Sequence, residues 1–125
     1  MEDTVNSALL VELAEMIELH RGIDTTVLDI RSQSSWTDYF VIATASSDVH
    51  MRGLYRRILA FLDERNVRPR SRRKRVSENA WLLVDCGGFV VHIMSEHARE
   101  FYELERLWFE GTVLFHSSKS SKSSS

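Results

Sequence analysis

Residues 80–94 read Ala-Trp-Leu-Leu-Val-Asp-Cys-Gly-Gly-Phe-Val-Val-His-Ile-Met, and this stretch decides the fold. Two apolar runs, Ala80 to Cys86 and Phe89 to Met94, flank the pair Gly87-Gly88. A glycine pair between runs rich in β-branched and aromatic residues is typical of a tight β-hairpin turn. We therefore predict two antiparallel strands joined at these glycines.

Five elements are predicted before the hairpin. Apolar residues recur at helical spacing over Asn6–His20 and again from Ser46 to about Asn66, which predicts two amphipathic helices. The β-branched run Thr25–Ile30 and the nearly continuous apolar run Asp38–Ala45 predict two strands, the second covered on both faces. A short strand near Val67 completes this set.

A last helix follows the hairpin, from Ser95 or Glu96 to about Phe109, because apolar residues recur there at helical spacing. The order α-β-β-α-β-β-β-α predicts an α/β fold, in which a mixed β-sheet is flanked by α-helices. Residues 1–112 are predicted to form a single domain of this kind. Residues 113–125 are rich in Ser and Lys and have little to bury, so we expect a disordered tail.

The composition is that of one globular domain. The chain has 125 residues, 43% of them hydrophobic and 10% aromatic, which is enough for a buried core. A formal charge of −2 provides no global attraction to nucleic acid or anionic membranes. The N-terminus does not resemble a signal peptide, and no apolar run approaches the roughly 18 residues of a membrane span. We expect a cytoplasmic protein.

Histidines give no indication of a metal site. All five are far from a second ligand at the short spacing that zinc sites show. Strand alternation puts His92 on the face opposite Val91 and Ile93. A packed, hydrogen-bonded role is the favoured interpretation of His92, and direct contact with a partner is the alternative.

Candidates for catalysis are weak. The single cysteine, Cys86, cannot form an intramolecular disulfide and has no basic neighbour to lower its pKa, so a small buried side chain is expected. Asp29, Asp38 and Asp85 could bring carboxylates to strand ends, as metal-dependent phosphoryl transfer requires, but a glycine-rich phosphate loop is missing. We expect no catalysis and no cofactor. A nucleotidyltransferase-like enzyme remains an alternative.

A basic run precedes the hairpin. It consists of Arg68, Arg70, Arg72, Arg73, Lys74 and Arg75. Cations at this density can contact phosphates in a salt-dependent manner. Because no aromatic residue interrupts the run to stack on bases, its role would be attraction to the RNA backbone. A solvated loop explains it equally well, and an RNA-binding module is the alternative function.

Aromatic and aliphatic residues are concentrated near the C-terminal end. They are Trp81, Tyr102, Leu104, Leu107 and Trp108, beside Arg99, Glu105 and Arg106. Trp, Tyr and Arg dominate binding hot spots, so the group predicts a protein-binding patch. Core packing explains each aromatic residue singly just as well.

Six segments are informative in combination. They are Val27-Leu28-Asp29-Ile30, Trp36-Thr37-Asp38-Tyr39-Phe40-Val41-Ile42, Ser46-Ser47-Asp48-Val49-His50, Trp81-Leu82-Leu83-Val84-Asp85, Val90-Val91-His92-Ile93-Met94 and Arg99-Glu100-Phe101-Tyr102-Glu103-Leu104-Glu105-Arg106-Leu107-Trp108. In this order they resemble the ribosomal silencing factor family, also called the Iojap family. The resemblance covers residues from about 8 to 109.

The resemblance implies a sheet of nucleotidyltransferase-like outline without catalytic motifs. It also implies binding to the large ribosomal subunit through its fourteenth protein, which would block joining of the small subunit and repress translation when nutrients are scarce. The partner-binding residues that it implies are Trp81, Leu83, Asp85, His92, Met94, Arg99, Tyr102, Leu104, Glu105 and Trp108. A contact between ribosomal RNA and Arg70, Arg72, Arg73, Lys74 and Arg75, and a homodimer of the free protein, are further expectations.

Overall fold

A computed structural model describes residues 2–32, 37–75, 81–102 and 112–116 of the chain. Its elements, in chain order, are α1 (Glu2–Leu19), β1 (Ile23–Asp29), β2 (Tyr39–Ala45), α2 (Asp48–Glu64), β3 (Ser71–Arg75), β4 (Trp81–Asp85), β5 (Phe89–Ser95), α3 (Glu96–Tyr102) and β6 (Thr112–His116). The predicted order of the first eight elements is confirmed. β6 was not predicted.

The strands form one mixed sheet in the order β3-β4-β5-β2-β1-β6. β2 and β5 run parallel, and the other neighbouring strands are antiparallel. The predicted hairpin is β4 and β5, which pairs Trp81 with Met94 and Asp85 with Val90. All seven residues of β2 are buried, as a strand covered on both faces requires.

The hairpin turn depends on Gly87, which has a φ of 88°. This left-handed region strains residues with a side chain, and a Cβ here would also crowd the side chain of Arg70. The next residue, Gly88, links the hairpin to β2. Its carbonyl accepts the backbone N–H groups of Asp38 and Tyr39, at 3.0 and 3.2 Å.

The sheet has a back face, which α1 and α2 cover, and a front face, on which α3 packs. Buried residues on the back face include Leu13 and Ile17 of α1 and Leu54 and Ile58 of α2, packed with strand residues such as Val91. The front-face cluster consists of Leu28, Ile30, Phe40, Ile42, Val90, Met94 and Ala98, with Trp81 and Leu83 partly buried against it. The alternation of each strand therefore supplies two separate cores.

A histidine joins the ends of the two back-face helices. The imidazole Nε2 of His50 lies 2.9 Å from the carbonyl oxygen of His20, at the end of α1. Its Nδ1 accepts the backbone N–H of Ser46 at 3.0 Å, so Nε2 carries the proton and donates. Ser47 caps α2, since its hydroxyl accepts the N–H of His50.

Two predictions about boundaries need correction, and a third lies outside the described residues. The short strand lies at Ser71–Arg75, because the residues between the end of α2 and Arg70 form a loop. The predicted tail, 113–125, begins too early, because Thr112–His116 pairs with β1 and Phe115 packs on the core. α3 is described only to Tyr102, so its predicted extension to Phe109 lies outside the described residues, as do residues 117–125. In the described part of the chain, no helix has the length and apolar character to cross a membrane.

Candidate partner-binding face

Strand alternation brings most of the predicted partner-binding residues to the front face. In β4, Trp81 and Leu83 pack on the front-face cluster, whereas Leu82 and Val84 belong to the back-face core. The register of the hairpin places Trp81 opposite Met94 and Leu83 opposite His92. Residues that are distant in sequence therefore form one continuous surface.

A hydrogen bond orients the indole of Trp81. Its Nε1–H donates to Nδ1 of His92 at 3.0 Å, and the two ring centroids are 5.6 Å apart. The neighbouring Phe40 ring packs against the imidazole in a T-shaped arrangement, with ring centroids 4.5 Å apart. Because an indole can only donate, Nδ1 must present its lone pair, and the neutral ring carries its proton on Nε2.

Burial keeps this imidazole neutral. His92 is 4% exposed. Desolvation, with a smaller contribution from the positive charge of Arg99, lowers the pKa of His92 to about 4. Its Nε2 has no hydrogen-bond partner among the described residues. His92 is therefore packed and hydrogen-bonded, and it acts as a fixed acceptor for Trp81.

Met94 and Arg99 are also interior residues. Met94 is fully buried, and Arg99 is 5% exposed. The guanidinium of Arg99 donates through Nη1 to the hydroxyl of Thr44 at 2.9 Å, which fixes α3 on β2. Ser95 caps this helix by accepting the N–H of Ala98 at 3.0 Å. His92, Met94 and Arg99 therefore support the surface from beneath, and their predicted direct contact with a partner stays a prediction.

Trp81, Leu83 and Asp85 are the predicted site residues that remain half-buried. Asp85 accepts the backbone N–H of Gly87 at 2.9 Å through its carboxylate and thereby stabilises the hairpin turn. Tyr102 is the last described residue of α3, and Leu104, Glu105 and Trp108 lie outside the described residues. The described part of the candidate site is thus a half-buried apolar patch on the front face of β4, formed by Trp81 and Leu83, with a rigid support.

Sequence reasoning missed two residues of this support, Phe40 and Thr44. Both lie on the front side of β2, where Phe40 packs on His92 and Thr44 holds Arg99. The parallel register of β2 and β5, which pairs Ile42 with His92, brings them there. The alternation of Phe40, Ile42 and Thr44 was a signal for a shared face, but nothing in the sequence indicated which strand would be the neighbour.

Two of the three acids proposed for an enzyme, Asp29 and Asp85, are engaged elsewhere. Asp29 binds the guanidinium of Arg31 through both carboxylate oxygens, at 3.0 and 2.8 Å, and this hydrogen bonding lowers the pKa of Asp29. Asp85 holds the turn. Over the described residues, no three His, Cys, Asp or Glu side chains are grouped as a metal ion would require.

Cys86 has the properties of a structural residue. Its side chain is half-buried against the back-face core. Burial, followed by the charge of Asp85, raises the pKa of the Cys86 thiol to about 12. A thiol that stays protonated at neutral pH is a poor nucleophile.

The basic run occupies one edge of the sheet. Arg68 and Arg70 are exposed in the loop that enters β3, and Arg72, Arg73, Lys74 and Arg75 lie in β3 itself. β3 is the outermost strand on this side and pairs with β4. Most of the run is thus regular strand, whereas the solvated-loop interpretation assumed irregular structure.

Known proteins resemble this chain over most of its length. The model of the family described as "Ribosomal silencing factor during starvation" matches residues 3–125. The ribosomal silencing factor of Treponema pallidum is 35% identical over 97 residues, covering 77% of this chain and 86% of the relative. A mouse protein named "Mitochondrial assembly of ribosomal large subunit protein 1" is 31% identical over 98 residues, covering 77% of this chain and 43% of the relative.

A solved structure agrees with these similarities. A crystal structure of a Chromobacterium violaceum protein superimposes with a TM-score of 0.73 at 29% identity, covering 96% of this chain and 98% of that chain. Fold and sequence therefore lead to the same relatives. On the match across residues 3–125 and the identity to a bacterial member, the chain belongs to the ribosomal silencing factor family.

Proposed function

We propose that this protein binds the large ribosomal subunit and prevents the small subunit from joining it, thereby repressing translation when nutrients are scarce. The fourteenth protein of the large subunit is the proposed direct partner, and the cytoplasm is the proposed location. The observation that carries the proposal is the half-buried apolar patch formed by Trp81 and Leu83 on the front face, with Trp81 held by His92. Steric blocking requires area and affinity, and no reactive group.

Trp81 is suited to be the energetic centre of such an interface. Its indole is already oriented by the hydrogen bond to His92, so little conformational entropy is lost when a partner covers it. Tryptophan on a rigid strand, flanked by an aliphatic neighbour, has the character of a binding hot spot. A standard interface buries about 800 Å² on each partner, which requires more than β4 alone. We assign the remainder to Tyr102 and to Leu104, Glu105 and Trp108.

The names of the relatives support the ribosome as the target. Their names refer to silencing of the ribosome in bacteria and to assembly of the large ribosomal subunit in mouse mitochondria. Both activities involve the ribosome and neither name describes a chemical reaction. We therefore propose a binding protein without catalysis of its own.

Co-sedimentation with purified large subunits tests the proposal, in the presence and absence of small subunits. We expect the protein to sediment with large subunits and to lower the yield of joined ribosomes. Trp81→Ala should weaken binding by at least about 2 kcal/mol, roughly 30-fold. The matched control is Leu19→Ala, which removes a large apolar side chain that is 78% exposed on α1 and should leave binding unchanged.

A second substitution separates contact from support. Trp81→Phe keeps an aromatic ring but cannot donate to His92, so it should lose less affinity than Trp81→Ala. Thermal unfolding of each variant shows whether it remains folded. Binding that does not impede subunit joining, or that survives Trp81→Ala in a folded protein, would contradict the proposal.

A further inference from the structure

The edge strand β3 presents a concentrated charge that the proposed blocking mechanism does not use. Six cations fall between Arg68 and Arg75 with no acidic residue among them, although the whole chain has a formal charge of −2. The rest of the protein is therefore clearly acidic. Like charges in adjacent positions repel one another, so this arrangement costs stability unless an anion compensates it.

The register of β3 divides its cations between the two faces of the sheet. Arg73 pairs with Leu83 and Arg75 pairs with Trp81. Residues directly opposite one another in antiparallel strands share a face, so both arginines lie on the front face. Arg72 pairs with Val84 and Lys74 with Leu82, which belong to the back-face core. On the front face, the apolar patch at Trp81 is thus followed directly by the positions of Arg73 and Arg75 in the neighbouring strand.

We infer that Arg73 and Arg75 contact phosphates of ribosomal RNA beside the protein-binding patch at Trp81, so that the front face binds RNA and protein together. This inference rests on the proposed function. Arginine forms bidentate hydrogen bonds with phosphate, and a strand spaces alternate residues about 7 Å apart, so the two arginines can engage different phosphates of one RNA strand. Arg72 and Lys74 lie on the opposite face, away from the same RNA.

Protection of the sheet edge is the competing explanation for the charge. Charged residues on an edge strand prevent pairing with another chain. One or two charges suffice for that purpose, whereas every residue of β3 from Arg72 to Arg75 is cationic. Edge protection also makes no distinction between the two faces of the strand. The two explanations therefore predict different results for substitutions on opposite faces.

Two double variants with the same change in charge test the inference in the full-length protein. Arg73→Ser with Arg75→Ser removes the front-face pair, and Arg72→Ser with Lys74→Ser is the matched control. Affinity for purified large subunits is measured across a series of salt concentrations at constant magnesium. The front-face variant should bind several-fold more weakly at low salt, and the slope of log affinity against log salt should fall by about 2. The control variant should keep the parent slope.

Equal slopes for both double variants and the parent would overturn the inference, as would an equal reduction in both variants, which would indicate general attraction only. A change confined to self-association would favour edge protection. If the parent protein fails to bind large subunits at all, the proposed function fails, and the inference falls with it. Binding that depends on Trp81 but not on Arg73 and Arg75 would leave the proposed function standing and remove the RNA contact.

Discussion

At the scale of single residues, Trp81 and His92 behave as one unit. A buried imidazole normally costs free energy because it leaves water, and here the cost is offset by the N–H donated from Trp81 and by packing against Phe40. The bond requires a lone pair on Nδ1, so it forms only with neutral His92. Protonation must break the bond and place a charge in the core.

This coupling predicts that the protein is sensitive to acid. The pKa of His92 is lowered to about 4 in the folded protein, against an ordinary value of 6.5. Between these values the unfolded chain binds a proton that the folded protein excludes. The contribution of neutral His92 to the free energy of unfolding is therefore fully present above pH 6.5, and it is lost as the pH falls towards 4. Between pH 7.5 and 4.5 the free energy of unfolding should decrease by about 2–3 kcal/mol from this group.

Urea denaturation at both pH values measures the effect. His92→Gln keeps a side-chain acceptor for Trp81 but cannot be protonated, so its loss of stability over this range should be smaller than that of the parent by the same amount. His97→Gln, at an exposed position of α3, is the control and should leave the pH dependence unchanged. A His92→Gln variant with the parent's pH dependence would show that His92 is not the sensitive group.

At the scale of elements, both back-face helices end in the same way. At the end of α1, Gly22 N–H bonds to the carbonyl of Ile17 at 2.8 Å and Arg21 N–H to that of Glu18 at 2.9 Å. These two bonds define a Schellman motif, which requires a left-handed residue between helix and strand. That residue is Arg21, with a φ of 73°, whereas Gly22 is needed because a Cβ there would collide with Ile17.

Arg21→Gly should therefore stabilise the protein. A left-handed conformation costs a residue with a side chain about 1–2 kcal/mol, and the greater entropy of unfolded glycine offsets part of the gain. We expect an increase of about 0.5–1 kcal/mol in the free energy of unfolding, measured by urea denaturation.

Two further glycine substitutions serve as controls. Asn66 ends α2 in the same motif with a φ of 60°, and because asparagine tolerates this region, Asn66→Gly should gain less. Arg56 is an exposed residue in the middle turns of α2, and Arg56→Gly should lower the free energy of unfolding by about 1 kcal/mol. Destabilisation by Arg21→Gly would show that its side chain contributes more than its backbone costs.

At the scale of the whole molecule, the two edges of the sheet differ in character. One edge is the cationic strand β3, and the other is β6, where Val113 and Leu114 are exposed while Phe115 packs on the back-face core. β6 covers β1, which would otherwise be an open edge. The sheet is therefore completed by residues that are far in sequence from β1, the strand with which they pair.

Truncation tests where the domain ends. A chain ending at residue 111 loses β6, and with it the core contact of Phe115 and the pairing with β1. We expect its free energy of unfolding, measured by urea denaturation, to fall by at least about 2 kcal/mol. It should also self-associate in analytical ultracentrifugation through the uncovered strand. A chain ending at His116 should match the parent in both measurements. Equal stability of the two truncations would place the boundary before β6.

The sequence was sufficient to predict the elements whose signals are local. The glycine pair at 87–88 predicted the hairpin, periodicity predicted α1 and α2, and the apolar run of β2 predicted a strand buried on both faces. These patterns depend on neighbours within a few residues, so no knowledge of the fold was needed. Similarity to the silencing factors likewise followed from segments read in order.

The tertiary structure alone decided which residues meet. β6 was missed because Thr112–His116 is largely exposed and pairs with β1, about 85 residues earlier, and no local pattern records such pairing. The parallel register of β2 and β5 placed Phe40 on His92 and Thr44 under Arg99, and the fold buried His92, Met94 and Arg99 beneath the front face. The same register logic sorted the cations of β3 by face, because in a sheet a side chain's surroundings are set by the neighbouring strand.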